Sequence, residues 1–335
     1  MNRNELAHLA SLARAGGPHA TRAAARLMTT MTDRPERLGE LLAGSRDWPE
    51  PRLVLGVTGS PGCGKSTLTD HLVSEWRRRD SQRRIGIVAV DPSSPFTGGA
   101  VLGDRVRMMR HATDPKVFIR SLASRGHLGG LALGTKGIVR VMGLIGCDVV
   151  VIETVGVGQS EVEIARCADL VMIVLAPGQG DSIQLLKAGL MEAGDLFVVN
   201  KADRDGAFQL HQQLLATLSL ARPIVSHADA AIAPAAGERV FLCSAAQHEG
   251  IAALVDAIEQ RAAANAARWR AARSRQVVDE VRDAALELLR CRFVAALGDA
   301  REAESEVRRV LAGELTLDEL CDELIQRCAR RLDGA

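Results

Sequence analysis

A chain of 335 residues with 47% hydrophobic side chains has enough apolar material for one large core with accessory helices. Its 42 basic and 41 acidic residues nearly cancel, so no global field selects nucleic acid or an anionic membrane as partner. No apolar run reaches bilayer-spanning length, the opening stretch MNRNELAHLASLARAGG lacks a signal-like apolar core, and seven cysteines without a CxxC pair point to a reduced, cytoplasmic protein.

Residues 1–50 are rich in Ala, Leu and Arg and are broken by Gly16, Gly17, Pro18 and Pro35. This predicts an N-terminal extension of short helices, closed off by Pro49 and Pro51. The run LVLGV at 53–57 then reads as a strand, and Leu68, Leu72, Val73 and Trp76 fall at helical spacing. Between them lies GSPGCGKS, in the pattern GxxxxGK[ST]. Gly59, Gly62 and Gly64 let backbone amides converge on an anion, and the helix that follows turns its positive dipole end to the phosphates. Ser60, Pro61 and Cys63 complete the loop. Lys65 is expected at the β- and γ-phosphates, the Ser66 hydroxyl on Mg²⁺, and Thr67 at the α-phosphate.

A second strand is predicted at 85–90. Asp91 ends it and Asp104 lies beyond a Pro- and Gly-rich connector, so both carboxylates are candidates for Mg²⁺ on a mobile switch. The plainer alternative makes Asp91 a turn initiator and Asp104 a solvated charge. The eight histidines form no metal motif, although His127 stands in a Gly-rich stretch. VVVIETVG at 149–156 is a strand ending in an acid and a glycine. Glu153 is therefore expected in a Mg²⁺ or water-activating role, and Gly156 as a γ-phosphate-sensing amide. A strand at 170–175 leads to PGQGD, read as another mobile loop containing Gly180 and Asp181, with Lys187 in the helix behind.

After the strand at 196–199 comes NKAD, at the C-terminal sheet edge where such folds place ligands. An aspartate carboxylate can accept from guanine N1–H and the 2-amino group, which adenine cannot offer. Asp203 is thus the expected guanine reader, Asn200 the brace between loops, and Lys201 a stem along the base. Ser244 and Ala245, after a strand at 240–242, would meet the guanine carbonyl. From about residue 264 the pattern is wholly helical. One long helix is expected at 268–292 and another at 316–332, the latter with a Thr316/Glu319 capping box and an apolar face of Leu317, Leu320, Leu324 and Cys328.

The continuously apolar strands predict an α/β fold with a doubly wound, mostly parallel sheet and helical extensions at both ends. The expected divisions are an N-terminal extension at 1–50, a nucleotide-binding domain at 51–263, and a helical arm at 264–335 suited either to dimerisation or to packing back on its own domain.

Taken together, GVTGSPGCGKSTL, VAVDPSS with TGGAVLGDRVRM, FIRSLASRGHLGG, VVVIETVGVGQSE, PGQGD and FVVNKAD resemble the MeaB/ArgK-type G-protein chaperones of adenosylcobalamin-dependent acyl-CoA mutases. The resemblance spans roughly residues 53–260. It implies a homodimeric GTPase that binds GTP, GDP and Mg²⁺ and couples hydrolysis to cofactor loading and protection of methylmalonyl-CoA mutase or a close relative. By that similarity Lys65, Ser66, Asp91, Asp104 and Glu153 hold nucleotide and metal, while Asn200, Lys201 and Asp203 hold guanine. Segments 91–104, 153–159 (ending at Gln159) and 177–187 would be switches. Slow turnover alone, stimulated by the partner, is expected. A nickel-delivering GTPase and a GTP-dependent phosphotransferase are the rival readings.

Overall fold

The computed structural model describes residues 3–34, 37–44, 48–91, 109–123, 128–154, 167–178, 194–220, 236–296, 298 and 300–333. Its centre is a seven-stranded parallel sheet in the order β3-β2-β4-β1-β5-β6-β7. The strands are β1 (Leu53–Gly59), β2 (Ile85–Asp91), β3 (Val117–Ala123), β4 (Val149–Thr154), β5 (Leu170–Leu175), β6 (Leu196–Val199) and β7 (Val240–Leu242). β1 pairs with β4 on one side and β5 on the other, so the chain reverses direction across the sheet at β1. That reversal opens a crevice at the carboxyl ends of the strands.

Both sheet faces are covered, which is why the inner strands are apolar throughout. Leu53, Leu55 and Val57 of β1 lie in one core cluster with Leu68, Leu72, Val73 and Trp76 of α4 (Lys65–Arg79) and Ile251, Leu254, Val255 and Ile258 of α8 (Ile251–Ala296). Val54, one residue out of phase, joins the opposite cluster. There it meets the extension helices α1 (Arg3–Ala15), α2 (Pro18–Asp33) and α3 (Leu38–Gly44), together with α5 (Leu128–Leu144). A Cβ on Gly137 of α5 would stand 2.8 Å from Met31, so glycine lets α2 and α5 close on each other there. α6 (Ala207–Leu220) covers β5 and β6 through Leu210 and Leu214. The short α7 (Ala236–Arg239) precedes β7.

Three features differ from the sequence reading. β3 was not expected as a strand. Among the described residues it pairs only with β2, and residues 117–121 are half-buried, so VFIRSLA needs no continuous apolar run. The long helix starts at Ile251 rather than near 268, so one rod of 46 residues joins the sheet to the arm. In the arm, α9 (Ala300–Leu311) and α10 (Leu317–Asp333) fold at the end of α8, where Leu315, Leu320 and Leu324 pack with Phe293 and Val310.

The capping box is present: Thr316 N donates to Glu319 Oε2 at 2.8 Å, and Glu319 N donates to Thr316 Oγ1 at 3.2 Å. Leu317, expected on the apolar face, is 68% exposed. Leu315 takes its place as a hydrophobic staple, because the residue before an N-cap packs on the fifth residue along from it, here Leu320.

Candidate functional site

The phosphate-binding loop leaves β1 at Gly59 and enters α4 at Lys65. Gly59 has φ 142°, and a Cβ there would fall 2.0 Å from the Val174 carbonyl oxygen, so β5 admits only glycine at this point. Gly64 has φ 94°, and a Cβ there would strike Asn200 Nδ2 at 2.4 Å. Both glycines thus make room for a neighbouring strand or brace as well as for the turn. Lys65 is buried, with Nζ donating to the carbonyls of Gly59 at 2.7 Å and Ser60 at 3.0 Å. The loop's own oxygens fix its ammonium at the head of the helix, beside the unpaired first-turn amides. Pro61, Gly62 and Thr67 are exposed, whereas Cys63 is buried and burial pushes its thiol above the ordinary range.

Ser66 Oγ donates to Glu153 Oε1 at 2.5 Å, joining the first turn of α4 to the end of β4. Both side chains are buried, and they present hard oxygen donors of the type Mg²⁺ takes. One residue on, Thr154 Oγ1 donates to Thr58 Oγ1 at 3.3 Å, tying β4 to the strand that feeds the phosphate loop. The sequence reading did not single out this pair. Asp91 ends β2 at the same sheet edge. Asp104, His127, Gly156, Gln159, Gly180, Asp181 and Lys187 lie outside the described residues.

Asn200 joins the loops at this edge. Its amide donates to the Leu175 carbonyl at 2.8 Å, its Nδ2 to the Cys63 carbonyl at 2.9 Å, and its Oδ1 accepts from the Ala245 amide at 3.1 Å. One buried side chain therefore holds the phosphate loop and the loop after β7 at fixed spacing. Lys201, with φ 59°, donates from Nζ to the Gly62 carbonyl at 2.6 Å and extends across the loop mouth. Ser244 Oγ donates to Asp203 Oδ1 at 2.5 Å. That hydroxyl is the chief cause holding the Asp203 carboxyl below its usual range, so at neutral pH it is an ionised acceptor. Ser244 and Ala245 stand at a single turn, closed by Ser244 and Glu249 exchanging backbone hydrogen bonds at 3.1 and 3.0 Å.

The sequence-expected residues from P-loop, NKAD and SA segments thus converge along one edge, although they are up to 186 positions apart, from Gly59 to Ala245. The profile of the methylmalonyl-CoA mutase-associated GTPases, MeaB, matches residues 21–297. The chain belongs to the MeaB family. Among relatives of this MeaB-family chain, a protein of Pyrococcus abyssi named as a GTPase is 50% identical over 199 residues, 59% of this chain and 61% of that one. One of Mycobacterium tuberculosis, likewise named as a GTPase, is 39% identical over 270 residues, covering 78% of this chain and 76% of its own. The chain spans 61% and 52% of the lengths of its two Pyrococcus relatives. A crystal structure titled LAO/AO transport system kinase superposes with a TM-score of 0.62 at 25% identity, covering 99% of both chains. No described helix is long and apolar enough to cross a membrane.

Proposed function

We propose that this MeaB-family chain hydrolyses GTP to GDP and phosphate, and uses that cycle to gate cofactor loading into, and protection of, an adenosylcobalamin-dependent acyl-CoA mutase. The observation that carries the nucleotide reading is the Asn200 brace, which sets a lysine-bearing phosphate loop and an ionised Asp203 at one sheet edge. The family's description as methylmalonyl-CoA mutase-associated supports the partner.

In this reading Lys65 and the loop amides neutralise charge on the β- and γ-phosphates as water attacks in line. Asp203 accepts from guanine N1–H and the 2-amino group, and Lys201 lies along the base. Ser66 and Glu153 would hold Mg²⁺, with Asp91 and Asp104 as further carboxylates. The ion, when bound, would supply positive charge beside the phosphate oxygens. Segments 91–104, 153–159 and 177–187 act as switches that report nucleotide state to the mutase, and turnover is slow until the partner binds. The arm from 264 onward serves a homodimer, a role supported by exposed Val278, Val281, Leu289 and Val294 on α8. Free Cys63, Cys147 and Cys243 suit a reduced, cytoplasmic setting.

The test is GTP turnover by the purified chain, alone and with a cobalamin-dependent acyl-CoA mutase from the same cell. Acceleration that vanishes in Lys65→Ala supports the proposal. Neither acceleration nor co-migration with such a mutase would remove the partner from it.

A further inference from the structure

Two imidazoles outside the nucleotide motifs meet between the two halves of the site. His71 stands on α4, the helix that begins at Lys65, and His248 sits in the loop carrying Ser244 and Ala245. Their Nδ1 atoms are 2.8 Å apart, with ring centroids at 4.7 Å and planes at 62°. At that separation one Nδ1 donates and the other accepts, so exactly one hydrogen fits between the facing nitrogens. His248 holds φ 61°, a conformation that a side-chain-bearing residue keeps only where its surroundings impose it. The Ala245 backbone, whose amide donates to Asn200, lies close enough to His71 to raise its pKa slightly.

We propose that His71 and His248 are positioning residues for guanine recognition, clasping the base-reading loop to the phosphate-binding helix through their shared hydrogen. The proposal rests on the guanine-binding reading above. It assigns the exposed loop a second tie, independent of Asn200, at the far side of Ala245. Without it, the turn is tied to the phosphate-binding side of the site through Asn200, and to Asp203 through Ser244.

The clasp is pH-sensitive by construction. Burial and the facing His248 hold His71 below the ordinary value of 6.5, with Arg110 acting in the same direction and Asp70 and the Ala245 backbone opposing them. Glu249 is the neighbouring carboxylate on the loop. A second proton would set two N–H donors and two positive charges face to face, and the clasp would open. Because the folded-state value is depressed, the clasp's contribution is whole above 6.5 and is lost as pH falls below it.

The experiment compares wild type, His248→Gly, His71→Phe and the double variant. It measures affinity for a fluorescent GDP between about pH 5.5 and 8 and amide hydrogen exchange over 244–250. Glycine accepts φ 61° at least as well as histidine, so His248→Gly removes the imidazole without straining the turn. Each single variant should weaken GDP binding roughly 3- to 10-fold near neutral pH. The double variant should be no weaker than the weaker single. Wild-type affinity should fall on acidification while the variants stay flat, and loop amides should exchange faster in all three. Wild-type affinity with an unchanged pH profile in His248→Gly, or additive losses, would overturn the clasp. A wild-type chain that binds no GDP would overturn the guanine reading instead, and unchanged loop exchange in the variants would still decide against the clasp.

Discussion

In the proposed site, the phosphate end and the base end are built on opposite principles. At the phosphate end Lys65, Ser66 and Glu153 are 6%, 9% and 3% exposed, and each is held by oxygens of the fold itself. At the base end Asp203 is exposed and rests on a single hydroxyl, while Lys201 reaches back to a loop carbonyl. Charge in a low-dielectric pocket supplies strength, because Coulomb energy there is poorly screened. Charge at the surface supplies discrimination, because its worth depends on the geometry of the donors it meets.

The sharpest contrast comes from removing one charge at each end. Lys65→Ala should lower GTP turnover roughly thousandfold, since a preorganised cation facing developing charge is lost. Single-turnover kinetics would read this, and a loss under tenfold would show that the buried lysine is not the main phosphate contact. Asp203→Asn should cost less, about a hundredfold in GTP affinity, because its surroundings are solvated. It should also gain affinity for xanthosine triphosphate, whose 2-oxo group matches an amide donor. If calorimetry shows no change in preference between the two bases, Asp203 does not read the base.

Asn200→Ala tests whether the ends are separable at all. It leaves the Cys63 carbonyl and Ala245 amide without their buried partner, so urea unfolding should report a loss of about 1–3 kcal/mol. Affinity for GTP should fall with it, and a variant that lost stability but bound normally would uncouple the brace from the site. The smallest effect belongs to the arm. Thr316→Ala removes a capping hydroxyl for about 1 kcal/mol, with faster amide exchange in α10 and unchanged turnover. A pH series adds a boundary. The Ser244 hydroxyl depresses Asp203, so guanine reading by that carboxylate should persist above its ordinary 3.8 and fail only as pH drops below it.

What was legible in the sequence follows from how local each feature is. The P-loop is a contiguous turn whose glycines, lysine and serine are dictated by one strand-to-helix junction, so its geometry could be read from the string. The same holds for NKAD, which sits directly at a strand end, and for the Thr316 box. β3 escaped because an edge strand is wetted on one side and carries Arg120 and Ser121 without penalty. The Thr58 and Thr154 pair, 96 positions apart, and the His71 and His248 pair, 177 apart, exist only once the sheet order brings them together. Histidine in a left-handed turn leaves no periodic trace, and the start of α8 was hidden because its first turns pack on the sheet like any crossover helix.

The continuity of α8 has a mechanical consequence. At about 1.5 Å per residue its 46 residues make a beam about 70 Å long. It is rooted one residue after Gly250, at the close of the turn that carries Ser244 and Ala245, and about two-thirds of the way along it is pinned by Glu280 to Arg140 at 2.9 Å. A beam pinned partway is a lever. About 16 residues project beyond that pin, so each degree of pivot about it sweeps the tip through about 0.4 Å, and a tilt too small to disturb the hydrogen bonds of the Ser244–Glu249 turn is carried to where Phe293 meets the arm.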